Sequence, residues 1–578
     1  MKKCIRNPLA VLLLLSAFCL QPLALRAGGP LTPPGAPAPT MKSLQEMEPR
    51  TLIASVPYTI TAPGSYYLSN NLTVATGDAI TISASGVTLD LNGFTLSSTA
   101  ASATGAGIYS SGSYEDITIL NGHIRGGVTE SGGVYTGSGF ANGVFVIGSN
   151  TKVTDVTVSG VLYYGIYYGS VVSGCSVVTA GYYGIDANVV ESCSAYDCGY
   201  YGIIGNQVSY CYGEGVNNGT GVSGAMIINS YGYGSGPGNN GTGVSGSTVE
   251  NCYGYGGNQG INAVTANNCY GSTYSTNGYG LYASDANGCY GYGGYSGVYC
   301  EGTAQGCYGS TSYGHGVTAH AANNCYGYSG ASTGVYPNYW AGIYADTANN
   351  CYGYSYNNYG LWVNAANNSY GESHQLDGIY ARGGSAGVSG KNGGAVENSF
   401  GYSYFNYGIN ASSAINCYGE SYGYIGLNAT IANNCYGYSP NGADGVSVTV
   451  ANNCYGVVSG GYNSTVGLIA SVANNCYGYC YSSGGSGTGI YATVVNNCYG
   501  YLSSSANYGD GIIANDINNS YGYASAPYSH GLNAGDLVTG SSGQGYGTGS
   551  YGIYAYVANT CVGSGTIGNS ISHPINVF

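Results

Sequence analysis

The chain has 578 residues, among them 103 Gly, 66 Tyr and 20 Cys, and only 6% are charged. So much Gly would suit a disordered segment, but Ile, Val, Leu, Ala and Tyr return at fixed places, which excludes one. The net charge of −14 argues against nucleic acid and anionic membrane as partners.

Lys2, Lys3 and Arg6 precede an apolar run from Leu9 to Leu20, the order of a secretory signal peptide. We read it as residues 1–27, with cleavage near Ala24 or Ala27. The run is short for a membrane span, and no later stretch is long and apolar enough. The bulky Phe18 before Cys19 argues against a lipid anchor. The mature chain is therefore expected to be secreted or at the cell surface, with no transmembrane span after signal removal. Loss of Lys2, Lys3, Arg6 and Arg26 leaves six basic side chains against 24 acidic ones, a net charge of −18.

Residues 28–50 read as a Pro-rich linker and a short helical cap. The prolines between Pro30 and Pro39 favour an extended spacer, and Thr40 is placed to cap a turn carrying Leu44 and Met47. From Tyr58 the pattern changes to short alternating runs: Tyr58-Thr-Ile-Thr, Ser65-Tyr-Tyr-Leu, Ala79-Ile-Thr-Ile, Val87-Thr-Leu-Asp-Leu and Ile117-Thr-Ile-Leu. Strands without intervening helices predict an all-β fold. The runs Val87–Leu96 and Ile117–Gly126 resemble the early coils of secreted right-handed parallel β-helix proteins of the pectin-lyase-like superfamily. The resemblance concerns the fold and is not specific for an activity.

A constant arc supports the same architecture. In sixteen cases Gly followed by Ile, Val or Leu stands nine residues before a Cys or Ser, as in Gly342/Cys351 and Gly489/Cys498. The stretch from that Cys or Ser to the next Gly varies from eight residues to seventeen. Constant arcs are stacked strands and variable ones are loops, so 51–565 is expected to be one single-stranded parallel β-helix, right-handed as the resemblance implies. Residues 51–160 form early coils and 161–565 the Asn-Cys-Tyr-Gly repeats, about 25 coils of roughly 18–22 residues in all. Residues 566–578 read as a C-terminal cap.

Strand alternation in one coil places Ile343, Ala345, Ala348, Cys351 and Gly353 inward and Tyr344, Tyr352 and Tyr354 outward, with bends at Asp346-Thr347 and Asn350. The Asn before the Cys recurs from Asn229 to Asn519. Asn tolerates the left-handed backbone of a sharp corner, and stacked amides can bond one another. An asparagine ladder at that corner is also what the resemblance implies.

Fifteen cysteines share the repeat position, and Ser230, Ser369, Ser399 and Ser520 replace Cys there. The interchange favours buried free thiols. Parallel stacking leaves Cβ atoms farther apart than the ~3.8 Å of a disulfide, although an offset coil would permit a few bonds. A metal-binding thiol array is disfavoured, because in-line stacking does not make a tetrahedron.

The next residue is aromatic in sixteen successive repeats, from Tyr212 to Tyr521. The rings serve either sheet packing or a surface that binds carbohydrate or other copies. The candidate ligand-binding residues are Tyr326, Tyr328, Tyr352, Tyr354, Tyr436, Tyr438, Tyr477, Tyr479, Tyr499 and Tyr501.

Many members of the superfamily that the early coils resemble cleave acidic polysaccharides, so the resemblance implies that catalytic residues of their kind could be present. Gly314-His315-Gly316 matches one piece of the hydrolase pattern, but no Asn-Thr-Asp, Asp-Asp or Arg-Ile-Lys accompanies it. A lyase would need a base beside calcium ligands, for which Arg382, Lys391 and Asp377 are the only candidates. Neither a catalytic residue nor a metal or other cofactor is assigned. The expected function is a non-catalytic exported rod for surface structure, adhesion or polysaccharide binding, with extracellular polysaccharide or cell-surface components as partners. The alternative is a polysaccharide lyase or glycoside hydrolase.

Overall fold

The computed structural model describes residues 49–566 apart from 237, 331–339, 383–392, 461–463, 483 and 504–505. The expected signal peptide, the helical turn at 41–48 and residues 567–578 lie outside the described residues. From Arg50 onward the chain is an all-β parallel solenoid of about 24 turns, and no helix occurs among the described residues. One continuous sheet contains 57 strands, each paired in parallel with its counterpart one turn on.

The coil centred on Gly342 shows why this sequence winds. Ala341–Asn349 runs through the first two faces, and Tyr352–Ser355 forms the third. Ile343, Ala345, Ala348, Cys351, Gly353 and Ser355 are buried, while Tyr344, Tyr352 and Tyr354 are half-buried, as the alternation predicts. One turn later the long strand divides into Tyr359–Val363 and Ala365–Asn367, which marks the bend expected at Asp346-Thr347. Ile343 pairs with Leu361, Ala348 with Ala366 and Tyr352 with Tyr370. The core is thus built of rows: large aliphatics, small Ala or Val, and Cys or Ser.

Gly342 and Gly353 let the first and third faces meet backbone to backbone. A Cβ on Gly342 would lie 2.3 Å from the Tyr354 nitrogen, and one on Gly353 would lie 2.2 Å from the Gly360 oxygen. No side chain fits there, which accounts for the fixed glycines of the repeat.

The corner is made by left-handed residues. Asn229, Asn251, Asn268, Asn324, Asn350, Asn368, Asn434, Asn453, Asn475, Asn497 and Asn519 all have φ between 47° and 54°. Asn416, Asn434 and Asn453 each donate from Nδ2 to the Oδ1 of the corner Asn one turn earlier, at 3.1–3.2 Å. A second amide ladder stands one residue before the corner, where Asn452, Asn474, Asn496 and Asn518 donate in sequence at 2.8–3.1 Å.

Two insertions depart from the repeat. Gly127–Ser131 and Val134–Ser138 form an antiparallel hairpin lying along later turns. Tyr135 Oη donates to Asp197 Oδ1 at 3.0 Å, and Asn217 Nδ2 donates to the Gly133 oxygen at 2.7 Å. The second insertion falls within the arc itself, at the bend between Ile379–Ala381 and Ala395–Glu397. Extra residues are therefore accepted at this bend as well as in the loops after the cysteine.

Candidate functional site

The sixteen aromatic residues from Tyr212 to Tyr521 form one unbroken column. Successive ring centroids are 4.5–5.2 Å apart, with planes within 18° of parallel. Tyr326, Tyr352, Tyr436, Tyr477 and Tyr499 belong to it. Tyr328, Tyr354, Tyr438, Tyr479 and Tyr501 lie two residues on, in a parallel row of the same face. In that row Tyr328 stacks on Tyr354 at 5.3 Å and Tyr479 on Tyr501 at 4.5 Å, while Tyr438 Oη meets Ser459 Oγ at 3.0 Å. All ten sequence candidates thus share one face.

Within the column each ring covers the face of the next, so edges and hydroxyls are what it turns outward. Tyr352 Oη donates to Glu372 Oε2 at 2.7 Å and Tyr418 Oη to Glu420 Oε2 at 3.1 Å. Burial, followed by the charge of neighbouring Glu214, raises the Tyr212 phenol to about 12, so it remains a hydrogen-bond donor at neutral pH. A shallow groove runs between this column and the Asn corner, bordered by Asn350 and Tyr352 and floored by the Cys row.

The eighteen described cysteines are free, and all but Cys561 are buried. Each ladder sulfur lies within a polar frame: Cys351 Sγ is 3.2 Å from the Asn349 and Ala322 carbonyls and accepts the Cys325 N–H at 3.4 Å. Burial pushes the Cys252 thiol up to about 12 and raises those of Cys198 and Cys300. Cys198, Cys252 and Cys300 are thus inert core groups rather than nucleophiles.

No protein-family model, curated protein or solved structure matches the chain.

The sequence candidates for catalysis occupy structural positions. His315 is buried between Trp340 and Tyr344, its Nδ1 accepts the Ala341 N–H at 3.0 Å, and burial followed by the nearby Arg382 charge lowers it to about 3. Arg382 donates to the Tyr344 hydroxyl and to Asn364 Oδ1 at 3.2 Å, and its Nη2 is 3.6 Å from Asp346. Its guanidinium also lies 4.3 Å from the Tyr344 ring centroid, so it clamps three turns together. Asp377 is buried with Asn410, away from solvent, and Lys391 lies outside the described residues. Asp90, in the early coils, accepts the Asn92 N–H at 2.8 Å within a turn. Glu372 and Glu420 stand two turns apart with Tyr402 in register between them. Among the described residues no three His, Cys, Asp or Glu side chains are arranged to hold a metal ion.

Proposed function

We propose that this chain is an exported, non-catalytic β-solenoid rod of surface structure, whose tyrosine face contacts polysaccharide or other cell-surface components. The observation that carries the reading is the sixteen-ring column, flanked by a second tyrosine row and an amide-lined groove in one register. Such a face repeats a single chemistry along the rod. It suits a long, repetitive partner better than one small substrate. The likeness of the early coils to secreted right-handed β-helix proteins and the N-terminal basic and apolar segments support export.

The test is retention of the mature chain on immobilised acidic and neutral polysaccharides, with assay for new reducing or unsaturated ends. Retention without cleavage is expected. Cleavage would replace the rod by an enzyme, and absence of retention on every polymer would remove polysaccharide as the partner.

A further inference from the structure

Several exposed tyrosines stand outside the stacked column, and three of them lie together. Tyr491, Tyr508 and Tyr528 are 51%, 59% and 72% exposed, and among the described residues none of them stacks on another aromatic ring. They line a recess of about 450 Å³ on a different face of the solenoid. Its floor is a column in which Thr488 pairs with Asp510, and Asp510 Oδ1 accepts the His530 N–H at 2.6 Å. Tyr508 and Tyr528 stand two residues before Asp510 and His530 on one side of this column. Tyr491 and Asn533 stand three residues after Thr488 and His530 on the other.

The chemistry of the recess is selective. Asp510 is 6% exposed, and its Oδ2 accepts Asn533 Nδ2 at 2.7 Å. Each carboxylate oxygen has acceptor capacity beyond its one protein donor. Burial, the larger influence, lowers His530 and keeps it from supplying a cation, and its ring is stacked on Tyr554. No Lys or Arg occurs after Lys391. Burial also raises the Asp510 carboxyl, so the exclusion rests on the missing cation: an anionic group would enter without a counter-charge. A neutral ligand with apolar faces and hydroxyl donors meets both halves of the site.

We propose that this recess binds a short stretch of a neutral pyranose chain, with sugar faces on Tyr491, Tyr508 and Tyr528 and sugar hydroxyls donating to Asp510. The inference rests on the reading of the rod as a polysaccharide binder. It moves the stacking contact off the ladder, whose ring faces are covered, to a place where they are free. The recess spans successive turns at ~4.8 Å, a spacing close to the advance of one residue in an extended β-1,4-linked chain.

The experiment is calorimetric titration of the full mature chain with cellohexaose, mannohexaose and xylohexaose, and with hexagalacturonate as the acidic comparator. Wild type is expected to bind at least one neutral hexamer and not the acidic one. The double variant Tyr491→Ala, Tyr508→Ala should lose about tenfold in affinity, since two stacking contacts are removed. Asp510→Asn should weaken the same binding. Tyr313→Ala, at an exposed tyrosine outside both the tyrosine face and the recess, should leave it unchanged. Both tyrosines of the double variant are surface residues, and an unchanged melting temperature checks its fold. Loss of binding in Tyr501→Ala, on the tyrosine face, but not in the double variant would overturn the recess while leaving the polysaccharide reading intact. Tighter binding of hexagalacturonate would overturn the neutral ligand class. Failure of wild type to bind any hexamer would overturn the recess. The reading of the rod itself falls only if the immobilised polymers also fail to retain it.

Discussion

Cys351 donates its backbone N–H to Ser369 Oγ at 3.1 Å, the same bond that Cys325 makes to Cys351 Sγ at 3.4 Å. Sulfur and hydroxyl therefore do one job, accepting an amide from the preceding turn. Cys351→Ser should change stability by less than about 1 kcal/mol. Cys351→Ala leaves the buried Cys325 amide without its acceptor and should cost about 1–3 kcal/mol. Urea unfolding midpoints distinguish the two outcomes, and equal losses would show that volume rather than hydrogen bonding sets the position.

Cys561 is the one described cysteine that is partly accessible. In a chain lacking residues 1–27, a thiol-specific reagent should label this site rapidly and the other seventeen only on unfolding. A denatured count below eighteen free thiols would reveal disulfides. Mass spectrometry of the labelled peptides assigns the fast site.

Asn350 has φ of 53°, and the equivalent corners at Gly288, Gly306 and Gly540 have φ of 56–62°. The chain itself thus exchanges Asn for Gly there. Asn350→Gly should be tolerated, whereas Asn350→Val places a β-branched residue in the left-handed region and should cost at least ~1–2 kcal/mol. Thermal melting of the two variants compares them directly.

The repeat made most of this architecture legible. Gly342, Asn350 and Cys351 each answer to a local constraint, a backbone contact, a left-handed corner and a small buried filler, so their spacing carried the winding. The inner amide ladder at Asn452 and Asn474 was visible as the doubled Asn-Asn, yet strand alternation alone marks such residues only as outward-facing. Ser355 was similarly readable from its fixed place after Tyr-Gly-Tyr. Its role appears only in three dimensions, where Ser355 Oγ accepts the Asn358 N–H at 3.0 Å and turns the loop. The hairpin at 127–138 and the recess around Asp510 had no periodic signature. They depend on which turns become neighbours and on which tyrosines lack a stacking partner.

Tyr370 stacks on Tyr352 at 4.9 Å and on Phe400 at the same distance. Phe400 shows that the ring, not the hydroxyl, sustains the column. Tyr370→Phe should be nearly neutral, while Tyr370→Ala breaks two stacking contacts and should cost about 1–3 kcal/mol. Near-ultraviolet circular dichroism should fall in the alanine variant and persist in the phenylalanine one.

Asp377 supplies the clearest pH dependence. Burial, outweighing the hydrogen bond from Asn410, pushes its carboxyl from 3.8 up to about 7. Between those values the folded chain holds a proton that the unfolded chain has released. The contribution of Asp377 to stability is therefore fully present below about 3.8 and is lost as pH rises toward 7. Asp444, raised to about 6 by burial, acts in the same direction. His315 opposes them. It stays neutral in the fold down to about 3, whereas the unfolded imidazole takes up a proton below about 6.5, so its contribution is lost as pH falls through that window. Asp377→Asn removes the first effect and leaves the last. The variant should be more stable than the parent at pH 7, by up to ~3 kcal/mol, and the gap should close near pH 4. Urea midpoints measured at unit steps from pH 4 to 7 test this. A gap that stays constant with pH would mean that the fold does not raise the Asp377 carboxyl above its unfolded value.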